Sequence, residues 1–453
     1  MKKFLFLLSL TISCGTATAQ NSATKLFSSS AFDEIIANPF LSGSNYLDYN
    51  RSNTFTTPLQ NESVGVALTP TPEGYEPFYM NHYGRHGSRW LIGDGEYTRP
   101  MNTLRRAAAA GKLTATGEET LEQLERFYKT TYKRLGELTT VGERQHHGIG
   151  RRMTEHFPEI FKRPGVAVDA RSTVVIRCIL SMEAECEELA AANPTVRIHN
   201  DVSESFQYYL NADWPQRLRE ASRKGGSYRN EARKKYTHPE RLVSLLFNDA
   251  KWVSDSIDAH GFMRQLFDVA TNMQSHDIDI DLLHLYTREE LYDLWRIRNI
   301  DWYLNYAHAP QTDAIMPFSQ AELLKNMIAT SDTITCPQAT LRFGHEVCVM
   351  PLACLLELGT CGERIENLDE LDASWRNYDI FPMACNIQLI YYRPKTATGP
   401  VSMTDPNADI LVKALLNERE MKLPIPTTMH PYYRWADLRR YYLQKLDNYF
   451  KAE

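Results

Sequence analysis

Three stretches of this sequence each run a short apolar segment into arginine or histidine. Residues 78–80 lead into Arg85-His86-Gly87-Ser88-Arg89, residues 166–168 into Asp169-Ala170-Arg171, and residues 340–343 into Gly344-His345-Glu346. Such a set of arginines and histidines suits a dianionic, tetrahedral group, because guanidinium forks match its oxygens in pairs and stay charged at any relevant pH. An imidazole with one unprotonated nitrogen can attack phosphorus, which divides hydrolysis into formation and breakdown of a phosphoenzyme. The arginines would hold charge on the equatorial oxygens in both transfers. A leaving alkoxide needs a proton, and Glu346 is the nearest carboxyl to give one and later to take one from water. The expected nucleophile is His86; Arg85, Arg89, Arg171 and His345 are expected to hold phosphate, and Glu346 to move the proton. That role needs a protonated carboxyl, so an acidic pH optimum is expected.

The elements that must position these residues are legible as short strands alternating with helices. Strand-like runs recur at residues 78–80, 166–168, 196–198, 340–343 and 387–392, and Leu121, Leu124, Phe127 and Tyr128 repeat at helical steps. Thr140 and Glu143 have the spacing of a capping box at a helix start. This alternation predicts an α/β fold, with a mixed, mostly parallel central sheet flanked by helices and an inserted, mainly α-helical domain. In open α/β sheets ligands bind beyond the carboxyl ends of the strands, so the three loops are expected to converge. The expected division is a leader at 1–19, an irregular N-terminal arm at 20–77, a core at 78–200 and 333–453, and the insert at 201–332.

Within that insert, residues 217–241 carry nine basic side chains against three acidic ones. A solvated helical face is one reading. A wall that binds extra phosphates, with Arg233, Lys234 and Lys235 as its low-ranking candidates, is the other. Trp214, Trp295 and Trp302 read as core. No metal or cofactor is expected: His82 and His86 are four apart as on a zinc-binding helix, but Gly84 and Gly87 disfavour a helix there, and Val349 breaks an H-E-x-x-H pattern. His146 and His147 read as packing or helix-surface residues.

Lys2 and Lys3 precede an apolar run at 4–12 and the small triplet Ala17-Thr18-Ala19, as in a secretory leader cut before Gln20. Export, to a periplasm or outside the cell, is therefore expected; anchoring through Cys14 as an outer-surface lipoprotein is the competing reading. The 453 residues carry a net charge of −6, which disfavours wholesale nucleic-acid binding, and no later stretch has the length of a transmembrane helix. Seven of the eight cysteines follow the leader, an odd number that leaves at least one unpaired.

Arg85-His86-Gly87-Ser88-Arg89 resembles the R-H-G-x-R signature of histidine acid phosphatases, and residues 138–145, Leu-Thr-Thr-Val-Gly-Glu-Arg-Gln, resemble their L-T-x-x-G-x-x-Q helix. Asp169-Ala170-Arg171-Ser172-Thr173, with Arg177 and Ser181 downstream, is similar to the segment that supplies a third phosphate-binding arginine. Asn386-Ile387-Gln388-Leu389 with Tyr392-Arg393, and Leu415-Leu416-Asn417-Glu418 with Leu423-Pro424, look like the last core strand and the tail of the inositol-polyphosphate branch. The matches keep the family's order from about residue 78 to residue 424. The resemblance implies a cofactor-free phosphomonoesterase with His86 as nucleophile, Arg85, Arg89, Arg171 and His345 on phosphate, and the acidic neighbour of His345 as proton donor. Its substrate would be a small phosphate ester, with polyphosphorylated inositol as the class its inositol-polyphosphate branch implies. The family shows His-Asp or His-Ala-Glu where this chain has His345-Glu346-Val347, so its acid is one methylene longer than Asp. A phosphoglycerate-mutase-like transferase, a sugar-phosphate phosphatase and a weakened phosphate-ester-binding protein are the competing readings.

Overall fold

The computed structural model describes residues 29–52, 67–397 and 399–452; the expected leader and Cys14 lie outside them. Eight strands form one mixed sheet: β1 (Tyr75–Arg85), β2 (Ala167–Ser172), β3 (Arg197–Asp201), β4 (Gln338–Gly344), β5 (Asn386–Pro394), β6 (Leu411–Leu416), β7 (Arg419–Met421) and β8 (Tyr433–Arg434). Their order is β3-β2-β4-β1-β5-β6-β7, with β8 beside β6. The first four are parallel, and β5 to β8 continue the sheet antiparallel. All five expected strands are present. β6 to β8 went unread, being a short hairpin and a two-residue pairing; β6 turns into β7 through Asn417 and Glu418, both at positive φ (52° and 61°), a two-residue turn whose twist matches the strands.

Alternation along the strands assigns side chains to two layers. Met80, Val168, Ala170, Leu341, Phe343 and Ile390 bury one face with Ile149, Met153, Met182 and Leu189 of the helices Thr140–His156 and Ile176–Ala192. Tyr79, Tyr83, Ile387, Leu389, Tyr391 and Val412 bury the other in a larger core shared with helices between β3 and β4, among them Ala259–Asn272 and Arg288–Tyr306. No strand lies between Asp201 and Gln338 among the described residues.

Two readings are corrected. Residues 31–52 are not irregular: they form the helix Ala31–Ala37, the 3-10 segment Pro39–Tyr46 and a short turn at Tyr49–Ser52, and Ile35, Leu41, Leu47 and Tyr49 are buried. The segment's polar composition hid these buried apolar positions. The helix expected to start at Thr140 is capped instead by Thr139, whose hydroxyl accepts from Gly142 N at 3.2 Å, while Thr140 Oγ1 donates to Asp277 at 2.9 Å.

Candidate active site

Register explains the convergence of the loops. In the order β2-β4-β1, Ser172 pairs with Phe343, and Gly344 pairs with Arg85, so the three carboxyl ends finish level with one another. His86 N then donates to Gly344 O at 3.0 Å, and Thr173 N to Phe343 O at 3.0 Å. Gly344 must be glycine at this junction, since a Cβ there would stand 2.0 Å from the Tyr83 hydroxyl oxygen.

The R-H-G loop is clamped from below. Gln145 Oε1 accepts from Ser88 N at 2.9 Å and its Nε2 donates to Ser88 Oγ at 3.0 Å, while Thr139 Oγ1 donates to Ser88 O at 3.0 Å. Gly87 N donates to Ser181 Oγ at 3.1 Å. Gly87 and Gly142 meet backbone to backbone: a Cβ on Gly87 would lie 2.5 Å from Gly142 O, and one on Gly142 2.3 Å from Ser88 O. The residues of the L-T-x-x-G-x-x-Q segment thus act on the backbone of the His86 loop.

His86 is buried, and its Nδ1 donates to Gly87 O at 2.8 Å. A carbonyl can only accept, so the proton sits on Nδ1 and the Nε2 lone pair is free. Burial, then the charges of Arg177, Arg85, Arg89 and His345, hold its pKa well below the ordinary 6.5. The ring stays neutral in mildly acidic solution. His345 stands 5.6 Å away, ring centroid to centroid, with its pKa pushed down to about 4 by burial and by Arg177, Arg85 and Arg89 against the pull of Glu346.

Glu346 opens the helix Glu346–Leu355 with His345 as its N-cap, where the helix dipole favours negative charge. Its Oε2 lies 3.1 Å from Arg85 Nε and 3.6 Å from His86 Nε2. Burial raises the pKa of this carboxyl, but Arg85, Arg89 and His345 outweigh it and bring the value from 4.5 to about 2. Nitrogen or oxygen atoms of His86, His345 and Glu346 fall within 4.8 Å of one another, near enough to chelate an ion. The guanidiniums of Arg85, Arg89 and Arg177 around them favour an anion over a cation there.

Arg85 is fully buried; Nη1 donates to Phe381 O at 2.9 Å and Nη2 to Asn45 O at 3.0 Å, so the supposedly irregular arm anchors a site residue. Arg89 is 4% exposed and lies over the Tyr46 ring at 5.7 Å.

Arg171 does not join the cluster. Its guanidinium pairs with Asp169 at 2.8 Å, donates to Tyr209 OH at 2.9 Å and stacks on Phe206 at 4.1 Å. Asp169 and Arg171 share the face of β2 opposite Val168 and Ala170, beside Arg342, which donates to Asn81 at 2.7 Å. Arg177, in the first turn of the helix after β2, is the arginine that reaches the His86 environment; its Nη1 donates to Gly136 O at 3.2 Å. Height along the strand separates the two: Arg171 pairs with Arg342, two residues before Gly344, which pairs with Arg85, so Arg171 leaves β2 short of the level of the His86 loop.

The basic helix also divides. Arg233, Lys234 and Lys235 on Gly226–Lys235 are all exposed, but Arg233 lines a cavity of about 210 Å³ with Arg264, Arg298, Asp268, Asp301 and Trp302, whereas Lys235 is tied to Asp369 at 2.7 Å. Trp302, which lines this cavity, packs at a tilt against Phe381 with ring centroids 4.3 Å apart, and Phe381 O in turn accepts from Arg85. Trp295 is core, as expected. The seven cysteines among the described residues are all free, and no described helix is long and apolar enough to cross a membrane.

No family model and no curated protein matches the sequence; the likeness lies in the fold. A multiple inositol polyphosphate phosphatase of Bifidobacterium longum, solved with phosphate, superposes with a TM-score of 0.67 at 17% identity, over 88% of this chain and 98% of that one. The phytase of D. castellii gives 0.62 at 13% identity, over 90% of this chain and 85% of that one. The phytase of Hafnia alvei gives 0.51 at 12% identity, over 83% and 98%. With register, strand order and these superpositions in agreement, the chain has the α/β fold shared by that inositol polyphosphate phosphatase and the phytases.

Proposed function

We propose that the protein is an exported phosphomonoesterase that works through a phosphohistidine on His86. The observation that carries this reading is the free Nε2 of a buried, neutral His86 among Arg85, Arg89, Arg177 and His345. Nε2 attacks phosphorus, the alkoxide leaves with a proton from Glu346, and water then attacks the phosphohistidine with the same carboxylate as base. In the ligand-free site Glu346 is ionised. A dianionic phosphate competes for Arg85 and Arg89 and repels the carboxylate, and both effects raise its pKa. Substrate binding therefore draws in the proton that the leaving group later takes.

Inositol polyphosphates are the proposed substrates. The support is the cavity lined by Trp302, where Arg233, Arg264 and Arg298 outnumber Asp268 and Asp301, and the fold shared with a protein solved in complex with inositol hexasulfate. Phosphate release from inositol hexakisphosphate, glucose 1-phosphate and an aryl phosphate tests the reading, with His86→Ala as control. Release from none of the three, or release that survives the substitution, would reject it.

A further inference from the structure

Half of the large hydrophobic side chains exposed among the described residues lie on three segments, at residues 92, 132–135 and 174–180, that are joined through Arg177 and Gly136. They are Ile92 at 53%, Tyr132 at 76%, Leu135 at 39%, Val174 at 45%, Ile176 at 67% and Leu180 at 48% exposure. Isolated exposed apolar residues are ordinary, but several on segments that meet beside an anion-binding cluster point to a ligand. Arg177 draws these segments together. Its Nη1 donates to Gly136 O at 3.2 Å, Gly136 N donates to Leu91 O at 2.9 Å, and a Cβ on Gly136 would lie 3.7 Å from Ile92 Cγ1. Ile176 precedes Arg177, and Leu180 follows Ile176 by one helical turn. Arg177 is also the charge that acts most strongly on His86. The apolar rim and the phosphate cluster are therefore continuous through one side chain.

We propose that this rim holds the hydrocarbon part of an amphipathic phosphomonoester, a single-chain alkyl or acyl-bearing phosphate, while its phosphate sits among Arg85, Arg89 and Arg177. The cleft then has two unlike walls. Arg233, Arg264 and Arg298 serve a second anionic group, and the rim serves a chain that has none. The inference rests on the phosphomonoesterase reading and adds a second substrate class to it. Turnover follows the same balance: the bond from phosphorus to the alkyl oxygen breaks, the alcohol leaves with the Glu346 proton, and water supplies the oxygen of the inorganic phosphate released.

Non-hydrolysable phosphonates test docking apart from chemistry. Calorimetric titration with methylphosphonate and with decylphosphonate below its micelle concentration should give about tenfold or more tighter binding of the longer chain, since each buried methylene contributes to transfer from water. In a protein carrying Ile92→Ser and Leu180→Ser, the ratio of the two affinities should fall to near one. Equal affinities in the wild type, or a chain preference that survives both substitutions, would overturn the proposal. Should the wild type release phosphate from no ester yet keep a rim-dependent chain preference, the docking proposal stands and the catalytic reading alone fails.

Discussion

Arg85 Nε and His86 Nε2 share one neighbour, Oε2 of Glu346, at 3.1 and 3.6 Å. A single carboxylate oxygen thus sits between an arginine proposed to bind phosphate and the proposed nucleophile. Its protonation is governed by whatever anion those arginines hold.

Binding of tungstate, already a dianion in mildly acidic solution, should therefore be coupled to proton uptake. Titration at pH 5.5 in buffers of different ionisation enthalpy should report close to one proton taken up per ligand, and Glu346→Gln should abolish most of it. Uptake unchanged by that substitution would assign the proton elsewhere.

Glu346→Gln should also separate substrates by leaving group. An alkyl phosphate needs protonation of its alkoxide, so kcat/KM, which reports the first step, should fall by roughly 10²–10⁴-fold. An aryl phosphate with a good leaving group should lose far less in the first step. Equal losses on both would exclude the carboxyl as donor.

Arg177→Ala and Arg171→Ala should behave differently. Loss of Arg177 should lower kcat/KM by about 10²-fold or more, the scale of removing a group that stabilises transferring charge. Loss of Arg171 should change kcat/KM only a few-fold, because its guanidinium is held by Asp169, Tyr209 and Phe206. Steady-state kinetics of the pair decides which arginine serves phosphate.

Much of this site was readable from residue order. The strand-to-loop positions of Arg85, His86, Arg89, His345 and Glu346 followed from apolar runs, and parallel pairing of β2, β4 and β1 brings the ends of those runs together. Arg171 was misplaced because it stands two residues short of the level of Arg85 along the strands, where Asp169 and Tyr209 hold its guanidinium. Asn45 and Tyr46 were missed because their segment lacks strong periodicity; Asn45 acts through a backbone carbonyl, and Tyr46 offers only its ring to Arg89. Arg233 and Lys235 reach different surroundings because two residues along a helix turn side chains to nearly opposite sides.

Stability of the ligand-free protein should fall as the solution becomes acidic. His86 and His345 are held below their ordinary 6.5, so the unfolded chain binds protons first and stability starts to drop below about pH 6.5. Glu346, lowered from 4.5 to about 2, contributes stability that is present above pH 4.5 and is lost between there and pH 2. Thermal melts from pH 7 to pH 3 should show this descent, with a smaller decline below pH 4.5 for Glu346→Gln. A flat profile would contradict the assigned charge states.

The central claim is covalent chemistry at His86 Nε2, and trapping tests it most directly. Rapid mixing with an aryl phosphate, quenching in alkaline denaturant and peptide mass spectrometry should place an acid-labile phosphoryl group on His86 within the dead time. His86→Ala should yield no adduct and no phosphate. A phosphoryl group on another residue, or steady turnover with His86 unmodified in the wild type, would contradict the account.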